Sequence, residues 1–216
     1  MINTLQWDHV SIAARAIAPV SEIWTNLFGF REIGTFTGSS GLNGLTLEAP
    51  GRSKIALEII EPADVNSYLH SFLDGPHGPG LHHIAFQVPS IEESVTFLRS
   101  EGITPWGETI DDEGTKYAYI HPRGGGQGVL FQLYESEFAW NQAQGFSDTD
   151  ISHLGITALN HVCHVTESRE QTASWYKKFF GLSTVYQSPL GTSSNDADHK
   201  VQFSSHVLDW PTEQSR

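Results

Sequence analysis

The sequence predicts an α+β fold of tandem βαβββ modules, the first two pairing into one curved sheet and a third left incomplete. Three observations predict it. Three histidines open three similar stretches, Asp8-His9-Val10, His82-His83-Ile84 and Asn160-His161-Val162. A glycine follows each at nearly one offset, Gly29 and Gly181 at twenty residues and Gly102 at nineteen. In the first two copies a polar residue stands forty-nine positions after the histidine within an apolar run: Glu58 in Leu57-Glu58-Ile59-Ile60 and Gln132 in Phe131-Gln132-Leu133.

In the first copy, Leu5 to Ala14 alternates in period two, with Val10 and Ile12 on one face and His9, Ser11 and Ala13 on the other, the pattern of a half-buried strand. Pro19 suits the first position of a helix whose apolar stripe is Val20, Ile23, Trp24, Leu27 and Phe28, ending at Gly29. Alternating runs near Arg31-Phe36, Leu42-Glu48 and Lys54-Glu61 then read as three strands.

The second copy repeats the order. Leu81 to Val88 is a strand, Ser90 and Glu93 form a capping box, and Val95, Phe97 and Leu98 make the buried stripe before Gly102. Strands are expected near Thr104-Trp106, Lys116-His121 and Gly128-Glu135, with Gly124-Gly125-Gly126 as a turn feeding the last; no helix with Lys-Ser/Thr follows to make it a phosphate loop. The third copy opens with a strand at His161-Val165 and a helix capped by Ser168 and Gln171, carrying Trp175, Tyr176, Phe179 and Phe180. Val201 to Leu208 offers one more strand, but counting forty-nine from His161 reaches Trp210, six residues from the end. The expected division is 1–137 for the paired modules, 138–155 for a polar linker and 156–216 for the partial third module. Asp64-Leu73 reads as a short helix, and the Gly- and Pro-rich stretch from Asp74 to Gly80 as a loop.

Composition limits the chemistry. A hydrophobic content of 38% supports a packed core, and no apolar run approaches the roughly twenty residues of a membrane span. The N-terminus lacks a secretory pattern, so a cytoplasmic location is expected. Cys163 is the sole cysteine, which excludes an intrachain disulfide and a thiolate cluster; any metal must be held by nitrogen and oxygen. A formal charge of -13 with only twelve Lys and Arg argues against nucleic acid or an anionic membrane as partner and favours a small molecule.

Strand parity puts His9 and Glu58 opposite the apolar residues that pack under the first helix, and His83 and Gln132 opposite those under the second. Two modules related by approximate twofold symmetry bring these four N and O donors together at the centre of the sheet. The set suits a divalent ion such as Co, Zn, Mn, Ni or Fe, with positions open for water or substrate. Other histidines fit less well. His82 should point to the opposite face from His83, His121 sits at an exposed strand end, His70 and His77 lie in the linker, and His161 lacks a partner strand.

The stretches Asp8-His9-Val10-Ser11-Ile12-Ala13, Leu57-Glu58-Ile59-Ile60-Glu61-Pro62, Gly80-Leu81-His82-His83-Ile84-Ala85-Phe86 and Gly128-Val129-Leu130-Phe131-Gln132-Leu133 resemble the motifs of the vicinal oxygen chelate superfamily. The resemblance spans roughly residues 5 to 136 and is nearest to the methylmalonyl-CoA epimerases and related glyoxalase-like lyases. It implies one metal site per module pair, with His9, Glu58, His83 and Gln132 at the ligand positions. It also implies an isomerase or lyase acting through an enolate on a carbonyl or acyl-CoA substrate. Gln132 departs from the pattern, because the epimerases carry a glutamate there that also moves a proton. Glu48, whose parity opposes Leu45 and Leu47, is then the candidate base. The layout also resembles the Fe(II) dioxygenases of the superfamily, such as 4-hydroxyphenylpyruvate dioxygenase, in which the iron lies in the C-terminal half. A small-molecule-binding protein without catalysis is the third reading. The unpaired third module points to a homodimer.

Overall fold

A computed structural model describes residues 1–38, 41–50, 55–76, 78–110, 114–135, 154–156, 158–188, 191–193, 201–203 and 205–209. The linker expected at 138–155 falls outside these but for its last two residues, as do His77 and Lys54.

The first module runs β1 (Gln6–Ala13), α1 (Ile17–Asn26), β2 (Arg31–Gly38), β3 (Leu42–Glu48) and β4 (Ala56–Pro62). A short helix α2 (Leu69–Leu73) leads to the second module: β5 (Gly80–Gln87), α3 (Ile91–Ser100), β6 (Trp106–Ile110), β7 (Lys116–Ile120) and β8 (Leu130–Glu135). All eight strands form one mixed sheet in the order β2-β3-β4-β1-β5-β8-β7-β6. Within each module the first strand runs parallel to the last, and β1 meets β5 antiparallel at the seam. This is the predicted pair of βαβββ units, joined by an approximate twofold axis between β1 and β5.

Side-chain alternation fixes the two faces. Val10, Leu45, Leu47, Leu57 and Ile59 pack with Val20, Trp24 and Phe28 around α1, while Ile84, Phe86, Ala118, Ile120, Phe131 and Leu133 pack with Ile91, Val95 and Leu98 of α3. Both helices therefore cover the same outer face, and His9, Glu58, His83 and Gln132 take the inner one. On the inner face, Leu69 and Leu73 of α2 pack on Ala13, Leu42 and Ile60 and close one end of the trough.

A second repeated device anchors the helices. Three positions after Glu58 and after Gln132 stands a glutamate: Glu61 accepts from the Ile17 N–H at 2.6 Å, and Glu135 accepts from the Ile91 N–H at 2.8 Å. A carboxylate on the last strand thus satisfies the first free N–H of the module's helix and opposes its dipole. Ser90 caps α3 as expected, accepting from Glu93 N–H at 3.1 Å. Helix α1 begins at Ile17 rather than Pro19 because Glu61 supplies its cap.

Three other expectations need correction. β6 spans Trp106–Ile110 instead of Thr104–Trp106; it is an exposed edge strand paired only with β7, so burial left little alternation to read. His161-Val165 has no regular structure. Helix α4 (Arg169–Phe180) begins after Ser168, but that side chain makes no capping bond; Thr166 Oγ1 accepts from the Ser168 N–H instead.

The apolar face of α4 packs on this chain's own second module. Trp175, Phe179 and Phe180 join the core of the second module, with Trp175 stacked on Phe131 at 5.3 Å and Phe180 tilted against Phe86 at 4.7 Å between ring centroids. The Ile2 N–H donates to Phe179 O at 2.7 Å, tying α4 to the segment that precedes β1. Beyond α4, β9 (Ser183–Gln187) pairs with β12 (His206–Asp209), and β10 (Gly191–Ser193) with β11 (Val201–Phe203).

Candidate metal centre

At the seam the strand registers assemble a row of side chains across the inner face. Ser11 lies beside Glu58, Glu58 beside Thr46, and Thr46 beside Gly34. In the second module the matching row is Ala85, Gln132, Tyr119 and Trp106. His9 and His83 stand two residues before Ser11 and Ala85.

All four predicted ligands converge. The Nε2 atoms of His9 and His83 are 3.1 Å apart, and Gln132 Oε1 is 3.0 Å from His83 Nε2. The Glu58 carboxylate lies 3.7 Å from His9 Nε2 and 3.8 Å from His83 Nε2. Donor atoms bound to one ion at about 2.0–2.2 Å stand roughly 3.0–3.5 Å from each other, so the His9–His83 and His83–Gln132 separations fit a shared divalent cation and the Glu58 carboxylate stands a few tenths of an ångström beyond that range. His9, Glu58 and His83 are all buried, and only Gln132 is partly open.

Each of the four side chains is held from behind. His9 Nδ1–H donates to Asp8 Oδ2 at 2.7 Å, and Asp8, fully buried, accepts from Tyr134 O–H at 2.8 Å. Such a carboxylate fixes the histidine tautomer and leaves Nε2 with its lone pair toward the centre. Glu58 Oε1 accepts from Ser11 O–H at 2.7 Å. Gln132 Nε2–H donates to the Tyr119 phenol oxygen at 3.2 Å, with Oε1 toward His83. His83 Nδ1 is 2.9 Å from His82 Nδ1.

That last contact corrects the expectation that His82 faces away. β1 and β5 both carry a register irregularity at the residue before the ligand histidine, Asp8 in one and His82 in the other. A bulge breaks the period of two and re-aims the inserted residue. His82 therefore turns to its neighbour and packs between Phe72, 4.8 Å away, and Tyr68, 6.0 Å away. The same dipeptide logic survives in the third copy, where His161 Nδ1 is 2.8 Å from Asn160 Oδ1, but that pair is exposed and stands apart from the site.

The electrostatics follow from these partners. Burial opposes a charge on His9, but the Glu58 and Asp8 carboxylates outweigh it and raise its pKa above 6.5. Burial lowers His83 well below that value, with His9 and His82 adding to the effect, and burial alone brings His82 to about 4. The centre attracts one positive charge and rejects a second proton. Burial also pushes the Tyr119 phenol up, with Tyr68 and Glu58 adding, so it stays protonated.

Glu48 lies outside this group. It shares the inner face, as its parity required, but it sits across from Arg31 in the β2–β3 ladder and its carboxylate is paired with that guanidinium. His70 contacts Asp64 O, and His121 receives the Arg123 N–H; both stand apart from the four donors. Asp8, Ser11, Tyr119 and Tyr134 were not singled out in the sequence. For Ser11 a signal existed, since it alternates in phase with His9. Thr46 adds a buried hydroxyl without a hydrogen-bond partner in the row beside Glu58.

Comparisons with known proteins agree with this architecture. A family profile described as "Glyoxalase/Bleomycin resistance protein/Dioxygenase superfamily" matches residues 8–119. The chain is 31% identical over 149 residues to the 4-hydroxyphenylpyruvate dioxygenase of Pseudomonas aeruginosa, covering 62% of this chain and 40% of that one. It is 32% identical over 100 residues to the uncharacterized protein slr0090 of Synechocystis sp., covering 44% of this chain and 30% of that protein. Among solved structures, the methylmalonyl-CoA epimerase of Mycobacterium tuberculosis superposes with a TM-score of 0.57 at 25% identity, covering 66% of this chain and 95% of the epimerase. The chain thus spans less than half the length of the first two relatives. With the profile covering just over half of its residues, this chain belongs to the glyoxalase, bleomycin resistance protein and dioxygenase superfamily.

Proposed function

We propose that His9, Glu58, His83 and Gln132 hold one divalent cation, and that the protein is a metal-dependent isomerase or lyase acting on a small carbonyl compound. The convergence of four N and O donors from matching positions of two modules carries this reading. A divalent ion held by these four residues would supply Lewis-acid chemistry, drawing charge from a substrate carbonyl and so easing loss of the adjacent proton.

The chain's own residues do the rest. Asp8 keeps His9 in the ligating tautomer, Ser11 fixes the Glu58 carboxylate, and the α2 side chains keep water from one end of the trough. Glu48 is the base in this reading, acting from the inner face beside Arg31. Epimerisation of an acyl-CoA thioester such as methylmalonyl-CoA is the leading example. Support for it is the likeness to the M. tuberculosis epimerase.

A second reading has its own observation. Two histidines and one carboxylate form the donor set of non-haem Fe(II) oxygenases. The likeness to 4-hydroxyphenylpyruvate dioxygenase points the same way. A non-catalytic binder is the third outcome, favoured by Gln132 because an amide cannot take a proton.

Elemental analysis after reconstitution decides the metal: close to one equivalent is expected, and less than about one-tenth overturns the reading. Deuterium exchange next to the carbonyl of acyl-CoA and 2-oxo substrates then separates the reactions. Exchange abolished by Glu48→Gln supports the isomerase with Glu48 as base, and oxygen uptake with iron moves the assignment to the dioxygenase. The division at 1–137, 138–155 and 156–216 and a homodimer belong to the same proposal. Size measurement of the full chain tests the dimer.

No helix among the described residues is long and apolar enough to cross a membrane. A cytoplasmic location and a small-molecule partner are the corresponding proposals.

A further inference from the structure

The two carbonyl-bearing ligands are held from opposite sides. In the first module the holding group is Ser11, next to Glu58 on β1. The equivalent residue in the second module is Ala85, which has no polar side chain to offer. Tyr119 does the holding there, from the far side of Gln132 on β7.

The difference matters because the ligands differ chemically. A carboxylate presents two equivalent oxygens, so either end of Glu58 can serve. An amide has one oxygen able to bind a cation, and its NH2 end repels one. Which end of Gln132 faces the centre therefore decides whether it is a ligand at all. The phenol oxygen accepts the Nε2–H at 3.2 Å, which leaves Oε1 at 3.0 Å from His83 Nε2.

Tyr119 is itself fixed for this task. Its ring lies 5.7 Å from Trp106, 5.8 Å from Tyr117 and 6.3 Å from His83. Gly107, at φ 64°, lets β6 pass closely over it; a Cβ there would lie 3.2 Å from Tyr119 Cδ2. A glycine in the left-handed region thus admits the strand where a side chain would press on the ring.

We propose that Tyr119 is the positioning residue that makes Gln132 a metal ligand, by orienting the single amide oxygen toward the centre. The assignment rests on the metal reading above. Its prediction is a dependence on the chemistry of position 132: the phenol is needed when an amide stands there and dispensable when a carboxylate does.

The test measures Co(II) and Zn(II) affinity by competition with a chelating dye for the unaltered chain and for Tyr119→Phe, Gln132→Glu and the double variant. Losing the orienting partner is expected to weaken metal binding about 10- to 100-fold in Tyr119→Phe. In the Gln132→Glu background the same change is expected to matter by no more than about threefold, one ordinary hydrogen bond. Thermal melting shows that each variant is folded, and Phe keeps the ring's packing. Equal losses in both backgrounds, or no loss in either, overturn the assignment while the metal reading stands. Failure of the unaltered chain to bind either metal overturns both.

Discussion

The two modules occupy matching halves of one sheet, yet they surround the centre with opposite chemistry. In the first, the ligand histidine leans on a buried carboxylate and the second ligand is a carboxylate as well: Asp8 behind His9, and Glu58 beside it. In the second, His82 stands behind His83 and Gln132 beside it, and neither brings a negative charge. Burial works against charge on both histidines, but only the first module overcomes it, so His9 is raised and His83 lowered. Backbone symmetry therefore supplies position, and the residues at the two bulges supply sign. In the proposed metal site, one half would neutralise a cation and the other would only complete its coordination.

That division can be broken most directly at Glu58. Glu58→Gln gives the first module the second's neutral ligand, and metal affinity is expected to fall more than about 100-fold, beyond the usual loss for an orienting partner. Chelator competition measures it. An affinity within tenfold of the original would mean that the charge is carried elsewhere.

The residues behind the histidines sharpen the contrast at a smaller scale. Asp8→Asn removes the acceptor that selects the His9 tautomer and is expected to cost about 10- to 100-fold in metal affinity. His82→Ala, at the matching bulge, is expected to cost less because it removes a neutral partner. The comparison is wrong if His82→Ala proves the costlier of the two.

How the site was legible explains why this contrast was not. Alternation revealed the inner face because it is enforced by burial on the outer one, so His9, Glu58, His83 and Gln132 followed from parity and spacing. Asp8 and His82 did not, since an inserted residue is invisible to a rule that counts in twos. Tyr119 escaped for another reason: its partner lies across strands, and only register brings the two together. Glu48 shows the limit of parity from the other side, for the face was read correctly while the partner Arg31 was not. The third copy was misread as a strand at His161-Val165 because likeness to two folded copies does not provide the neighbouring strands a third would need.

The smallest expected effect concerns that third copy. His164 joins it to the second module: Nε2–H donates to Gln127 O at 2.9 Å, and Tyr176 O–H donates to Nδ1 at 3.1 Å. Partial burial lowers its pKa despite the Gln127 contact, so the neutral ring is favoured in the folded chain. The unfolded chain binds the proton more readily. This stabilisation is therefore full above about pH 6.5 and is lost as pH falls through the lowered folded value. The melting-temperature advantage of the natural chain over His164→Gln is expected to shrink between pH 7.5 and 5.5, a window set around the ordinary histidine value. A constant difference would show that His164 contributes by packing alone.

The docking of α4 has a consequence for how the chain is made. Phe86 and Phe131 are synthesised well before Trp175, Phe179 and Phe180, the rings that cover them. Until those residues leave the ribosome, the outer face of the second module presents bare aromatic surface, of the kind that draws chaperones and promotes aggregation. The hydrogen bond from Ile2 to Phe179 closes the same long interval. A duplicated segment that adds nothing to the four-donor cluster thus sets the moment at which the half carrying that cluster is complete.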